Sequence, residues 1–293
     1  LDGRRFRLLA NIASEHDVDD ALTVGAEGIG LVRTEMVLLA LGRFPTEEEQ
    51  YEWYRSLAER FYPHPVTFRL FDVGAEKYAE LPERNPALGM RGVRFLLARP
   101  DILQAQLRAV LRAACTRNVR LLVPMVNTVA EMEQVRRLLH CALRELERRG
   151  ETPPATLPVG AMIETPAAAL SADALARVAD FFSIGTNDLT QYTLAVDRTH
   201  ERLAELFNPF HPAVWRLMVL AVEAAQRRGI PVSVCGELVA HAEATELLVG
   251  LGVEELSTLP AAIVPLKHRI RRTSFQRARQ RLYAFVAGEE ITR

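Results

Sequence analysis

Cysteine is scarce in this chain: three occur in 293 residues (Cys115, Cys141 and Cys235), with no CxxC pair among them. That excludes a disulfide framework and points to a reducing compartment such as the cytosol, where thiols stay free. No long uncharged apolar run and no signal-like start occur, so no segment suits export or membrane insertion. Low-complexity tracts and internal repeats are also missing. Neither sign of charge dominates, since 36 Lys+Arg stand against 37 Asp+Glu for a formal net charge of −1. A general nucleic-acid binder carries a strong basic excess, so that role is excluded. Any affinity for anions has to come from local clusters of arginine.

What is present is apolar residue in quantity, 49% of the chain, enough to bury a large core. Short β-rich runs alternate with longer helical patterns along almost the whole length. The strand-like runs are Phe6–Asn11, Gly28–Val32, Val66–Phe71, Arg120–Met125, Val159–Ile163, Phe181–Ile184, Val232–Cys235 and Glu255–Leu259. Between them lie amphipathic stretches such as Glu131–Arg149 and Ala213–Arg228, with apolar residues at helical spacing. Ser14 and Asp17 form a variant capping box for the first helix, and Gly150 and Gly229 sit where helices should end. Strands alternating with helices imply parallel pairing through helical crossovers. Eight repeats favour an α/β fold of the closed (β/α)8 TIM-barrel type, as a single domain over residues 1–293. An open doubly wound sheet is the alternative. The stretch from Asp72 to Val119 has room for inserted helices, and a basic helical tail (Lys267–Arg272) is expected after Pro265 as a solvated outer helix. The opening Leu1-Asp2-Gly3-Arg4, without Met, reads as the tail of a linker and the chain as a fragment.

In such a barrel, chemistry sits at the carboxyl ends of the strands. Polar residues unsuited to a core cluster there: Arg33-Thr34-Glu35, then Arg69 and Asp72, Glu164-Thr165-Pro166, Gly185-Thr186-Asn187-Asp188, and Cys235-Gly236-Glu237. Glu164 and Asp188 end neighbouring strands. Mg²⁺ takes one or two protein carboxylates together with substrate phosphate and water, so this pair suits that ion. A structural ion pair with Arg69 or Arg33 fits the same spacing. Arg33, Arg69, Arg91 and Arg198 are candidate anion ligands, because a guanidinium offers a planar fork of donors to phosphate and carboxylate oxygens. A lone arginine is usually a surface charge, but Arg33 and Arg69 lie in apolar strands where an unpaired charge is costly. Gly185–Asp188 could form an anion-binding nest or simply cap a helix. Cys235 is either an inert buried thiol or a proton donor within the site.

Four segments resemble the phosphoenolpyruvate-binding domain of the Enzyme I family of the bacterial sugar phosphotransferase system (phosphoenolpyruvate-protein phosphotransferases). They are Gly25–Glu35, Met162–Ala168, Asp180–Arg198 and Cys235–Leu238, and the likeness runs in the same order over nearly the whole chain. The resemblance implies that Glu164 and Asp188 bind Mg²⁺ while Arg33, Arg69 and Arg198 hold the substrate phosphate. The backbone around Asn187 and Asp188, with Arg198, would hold the substrate carboxylate. Arg91 would reach the phosphate or enol oxygen, Lys77 would contact phosphate, and Cys235 would protonate the enolate to give pyruvate. It further implies phosphoryl transfer to a histidine on a separate amino-terminal domain, which then hands phosphate to a histidine-containing phosphocarrier protein. A homodimer built through the barrel is expected on the same basis.

The chain departs from the family at Tyr78–Glu83, a shorter loop after Lys77, and at Val239-Ala240-His241-Ala242. None of its 7 histidines (His16, His64, His140, His200, His211, His241, His268) lies in a Gly-rich segment, so the acceptor histidine is not in this sequence. A barrel of the related pyruvate phosphate dikinase or phosphoenolpyruvate synthase is the second enzymatic reading. A non-catalytic metabolite sensor or dimerisation module is the reading from a different class.

Overall fold

Strand and helix alternate because the sequence's apolar period switches between two and about 3.6 residues. The computed structural model describes residues 2–74 and 85–288. The first repeats are β1 (Arg7–Ile12), α1 (Glu15–Thr23), β2 (Ile29–Val32), α2 (Glu35–Leu41), α3 (Glu47–Phe61) and β3 (Val66–Arg69). After β3 come α4 (Val93–Ala98), α5 (Pro100–Ala113), β4 (Val119–Val123) and α6 (Val129–Arg148). The middle of the chain supplies β5 (Val159–Ile163), the short α7 (Pro166–Leu170) and α8 (Ala172–Leu175), β6 (Phe182–Gly185) and α9 (Thr186–Leu194). The last elements are α10 (Pro212–Arg228), β7 (Val232–Cys235), α11 (Ala244–Leu251), β8 (Glu255–Thr258), α12 (Pro260–Arg271) and α13 (Phe275–Ala287).

All eight strands pair in parallel with their sequence neighbours, and β8 pairs back onto β1 through Arg7↔Glu255 to Ala10↔Thr258. The sheet is therefore the expected closed (β/α)8 barrel, and the open-sheet alternative falls. Alternation along the strands, interrupted in β2 where the register shifts, sorts residues to two layers. Leu8, Ala10 and Ile12, like Val159, Ala161 and Ile163, pack outward into the large core beneath the helices. Leu31, Leu122, Met162, Phe181 and Cys235 face inward as a second, smaller apolar cluster. Lower in the interior Arg7 and Arg120 both reach Glu255, at 3.1 and 3.0 Å, so the amino-terminal end of the barrel is closed by paired charge.

Helix ends follow the local signals. Ser14 and Asp17 cap α1 reciprocally, and Gly229 ends α10 at φ 68°, the left-handed conformation a glycine adopts without a Cβ penalty. The basic tail differs from expectation. Lys267–Arg271 belongs to α12, which starts at Pro260 and runs through Pro265, and a further helix, α13, follows it. Pro260 suits the first helical position because its φ is preset and its missing N–H has no helical partner there. Among the described residues no helix is long and apolar enough to cross a membrane.

Candidate active site

The strand-end residues singled out by the sequence meet at the carboxyl-terminal mouth. Arg69, the last residue of β3, is buried and pairs with the Glu35 carboxylate of α2 and, at 3.1 Å, with Asp72. Asp72 also takes two bonds from Arg91, whose Nε and Nη2 donate at 2.8 and 2.9 Å. Arg91 continues to Asp188, donating from Nη1 and Nη2 at 3.2 and 3.1 Å, and to the Tyr192 hydroxyl at 3.2 Å. One chain of alternating charge thus runs Glu35–Arg69–Asp72–Arg91–Asp188 across the exits of β2, β3 and β6.

Glu164, just past β5, sits apart from that chain and is fully buried. Its Oε1 accepts the Met125 backbone N–H at 2.6 Å, while its Oε2 is buried without a hydrogen-bond partner. Met125 presents its N–H from φ 58°, a conformation uncommon outside glycine. Asn127 steadies that turn by donating to the Met125 carbonyl at 3.1 Å, and the Thr165 hydroxyl donates to Asn127 at 2.7 Å. Room for the Glu164 carboxylate comes from Gly185, where a Cβ would lie 2.8 Å from Oε2 and 2.6 Å from the Met162 methyl.

The two structural options left open for the acidic pair therefore divide. Asp188 is ion-paired, with Arg91 rather than with Arg69 or Arg33. Glu164 makes no ion pair in the described structure. Burial, with the nearby Asp188 and Asp72 charges, pushes its carboxyl up to about 8 against the opposing pull of Arg69 and the Met125 N–H. Burial raises Asp72 as well, but Arg69 and Arg91 outweigh it and hold that carboxyl below its ordinary value. Burial likewise works against the charge on Arg69, yet Glu35, Asp72, Glu164 and Asp188 raise its pKa.

Cys235, at the end of β7, is 1% exposed inside the barrel below the mouth. The Ser183 hydroxyl donates to its Sγ at 3.5 Å, and burial pushes the thiol up to about 11. Arg33 is half-buried at the β2 exit, and its guanidinium has no hydrogen-bond or ion-pair partner among the described residues. Arg198 is exposed and lines, with Asp72, Arg91, Gln191 and Tyr192, a cavity of about 800 Å³ beside the charge chain. Asn187 turns toward the β7 exit, where its amide and Glu237 exchange two hydrogen bonds of 3.1 Å. Lys77 lies outside the described residues. Asp72, Glu35 and Tyr192 drew no role from sequence reasoning, although the first two stand at strand ends, where a search for partners of buried arginines would have found them. The Met125 N–H left no sequence signal, being a backbone group in an apolar run.

Comparison with known proteins follows the same line. Residues 1–275 match the family model described as the PEP-binding domain of PEP-utilising enzymes. The chain belongs to that family. Relatives include the phosphoenolpyruvate-protein phosphotransferase of Cupriavidus necator, 43% identical over 94% of this chain and 48% of its own length. The protein of that name from Bacillus subtilis is 38% identical over 99% of this chain and 52% of its own. A multiphosphoryl transfer protein of Xanthomonas campestris is 46% identical over 92% of this chain and 32% of its own length. The chain spans about half the length of the phosphotransferases it matches. Among solved structures, a citrate lyase from Burkholderia xenovorans has a TM-score of 0.54 at 15% identity, covering 100% of this chain and 95% of that one. Haloferax volcanii malate synthase has 0.57 at 14%, covering 92% and 71%. At such identity they share the fold alone.

Proposed function

We propose that this chain binds phosphoenolpyruvate and Mg²⁺ at the barrel mouth and catalyses phosphoryl transfer to a histidine on a separate domain, releasing pyruvate. The single observation that carries this reading is a set of buried, unpartnered polar atoms at one mouth. Arg69 Nε is a donor without an acceptor, and Glu35 Oε2 and Glu164 Oε2 are acceptors without donors. Native proteins leave few buried polar groups unpaired, so a mouth with three such atoms is prepared for a ligand carrying both anionic and cationic parts.

The residues fit Mg²⁺. Glu164 offers a free oxygen, Asp188 stands on the neighbouring strand exit, and both are the hard donors this ion takes. Among the described residues no three His, Cys, Asp or Glu side chains converge on one point, so an ion held here would complete its shell from substrate and water. When bound, the ion would offset the negative charge of the acidic cluster and of the substrate phosphate.

The chain's own residues supply the rest. Arg33, Arg69 and Arg198 would hold the phosphate, and Arg91, now shared between Asp72 and Asp188, would turn to the bridging oxygen. The bond from phosphorus to that oxygen breaks as a histidine nitrogen takes the phosphoryl group, and its electron pair stays on the enolate. Guanidinium groups gathered at the mouth before substrate arrives would stabilise the charge that develops on that oxygen. The thiol of Cys235, held protonated by its burial, would give its proton to the enolate methylene carbon and regain one from water. The 46% identity to a protein named for multiphosphoryl transfer supports a parent protein in which further phosphoryl carriers follow. That parent would work in the cytosol as the first step of sugar uptake, passing phosphate to a histidine-containing phosphocarrier protein. A homodimer through this barrel is part of the proposal, and light scattering tests it.

Titration calorimetry with phosphoenolpyruvate, with and without Mg²⁺, tests the reading. Binding that strengthens with Mg²⁺ and is lost in Glu164→Ala supports it. Binding indifferent to the ion, or unchanged in that variant, overturns it.

A further inference from the structure

One side chain on the outer helix layer touches both strand exits that carry the mouth's arginines. Gln106, on α5, is completely buried between that helix and the sheet. Its Oε1 accepts the backbone N–H of Phe71 at 3.0 Å. Its Nε2 donates to the Thr34 hydroxyl at 3.1 Å and to the Tyr54 hydroxyl at 3.2 Å. The Thr34 hydroxyl in turn donates to the carbonyl of Arg69 at 2.7 Å.

The placement of those partners matters. Thr34 stands between Arg33 and Glu35 at the exit of β2, and Phe71 stands between Arg69 and Asp72 at the exit of β3. The regular ladder of β3 ends there, its last link being the Leu70 N–H on the carbonyl of Leu122 at 2.9 Å. The Phe71 N–H would otherwise be a buried donor without an acceptor, and the chain would be free to leave the barrel in another direction. A glutamine amide has the right inventory, with an acceptor for the N–H and two donors for two hydroxyls, and here each donor and the acceptor is used. The network closes behind it, because the Tyr54 hydroxyl donates to Gln50 Oε1 at 3.2 Å and Gln50 Nε2 donates to the carbonyl of Pro45 at 3.0 Å. The route thus runs from the α3 layer through Gln106 to the backbone of Arg69.

We propose that Gln106 is a positioning residue for the anion site: by tying Thr34 and Phe71 to α5 it sets where the Arg33, Arg69 and Asp72 side chains stand at the mouth. It touches none of the atoms a substrate would touch and acts through Arg69. The inference rests on the phosphoenolpyruvate reading for its ligand, but its geometry does not.

Two measurements test it, on Gln106→Met and on Gln104→Met. Gln104 lies on the same helix and bonds to the Leu138 carbonyl at 3.1 Å, away from the mouth. The first measurement is the Kd for phosphoenolpyruvate with Mg²⁺ by calorimetry, at a temperature where circular dichroism shows each variant folded. Gln106→Met is expected to weaken binding at least about tenfold, the effect of ~1.4 kcal/mol, while Gln104→Met leaves it within about twofold. The second needs no ligand: the Nε–H resonance of Arg69 in a nitrogen-15 spectrum is expected to shift or broaden in Gln106→Met alone. If Gln106→Met does not fold, Thr34→Val removes the bond to the Arg69 carbonyl and takes its place in both measurements. Wild-type protein that fails to bind phosphoenolpyruvate sinks the parent reading, and the Arg69 resonance then decides the positioning role. An unchanged Arg69 resonance overturns that role, as does unchanged affinity in a variant that has merely lost thermal stability.

Discussion

Arg91 grips Asp72 with two donors, at 2.8 and 2.9 Å, while Asp72 is also ion-paired with the buried Arg69 at 3.1 Å. One carboxylate therefore holds two guanidinium groups of the mouth in place. Removing one partner of a buried ion pair leaves an uncompensated charge, at a cost of about 3–5 kcal/mol. Asp72→Asn should fall in that range or just below it, since Arg69 keeps Glu35 and Arg91 keeps Asp188. Urea unfolding measures it, and a loss below about 1 kcal/mol would show that Asp72 is not the link between the two arginines.

Glu164 should make the metal-free protein pH-sensitive in one direction. Its folded pKa of about 8 lies above the ordinary 4.5, so the folded state favours the protonated carboxyl. The sign follows from linkage: this contribution to stability is complete below the ordinary value and is lost as pH rises through about 8. Glu164→Gln keeps the neutral form at every pH. In chelator at pH 8.5 it should melt above the wild type by at least about 2–4 °C, the shift that ~1 kcal/mol gives in a domain of this size. At pH 5 the two should nearly coincide. Equal melting at both values would mean that the carboxylate is not strained by its surroundings.

How much of this was legible in the sequence depends on whether a residue acts through its side chain or its backbone. The eight strands and the charged residues at their ends could be read from period and position, because an arginine such as Arg69 in an apolar strand must find an anionic partner to be buried at all. Asp188 and Glu164 looked alike as sequence, each a lone carboxylate at a strand exit. Their different states come from what faces them: Arg91, which arrives from a loop 97 residues away, and the Met125 N–H, displayed by a left-handed turn in an apolar segment. Gln106 was invisible for a related reason. It reads as one more polar residue in an amphipathic helix, and only the packing of α5 against β2 and β3 shows that it is buried and bonded three ways.

The three thiols should react in two classes. Cys115 and Cys141 are exposed, whereas Cys235 is buried and its thiol is raised to about 11. Thiolate is the nucleophile, so iodoacetamide at pH 8 should label the first two in the native protein and leave the third until denaturant is added. Mass spectrometry of the alkylated peptides checks this. Fast labelling of Cys235 in folded protein would contradict a role as a protonated donor at neutral pH.

Gly185 offers the sharpest separation of site from fold. It ends β6 at φ −88°, which any residue can adopt, so the backbone alone does not demand glycine there. The demand comes from the side: an added Cβ would stand 2.8 Å from Glu164 Oε2 and 2.6 Å from the Met162 methyl. Met162 has a flexible end that can yield, but Glu164 is pinned by its 2.6 Å bond from the Met125 N–H. Gly185→Ala should therefore cost stability modestly, in the ~1–3 kcal/mol range of an overpacked interior. Its larger effect should fall on the response to Mg²⁺, because the oxygen it crowds is the one left without a partner. Calorimetry should show a loss of Mg²⁺-dependent phosphoenolpyruvate binding of tenfold or more, while a glycine-to-alanine change at the exposed Gly42 should leave that binding alone. If Gly185→Ala retains full Mg²⁺ dependence, Oε2 of Glu164 is not where the ion sits.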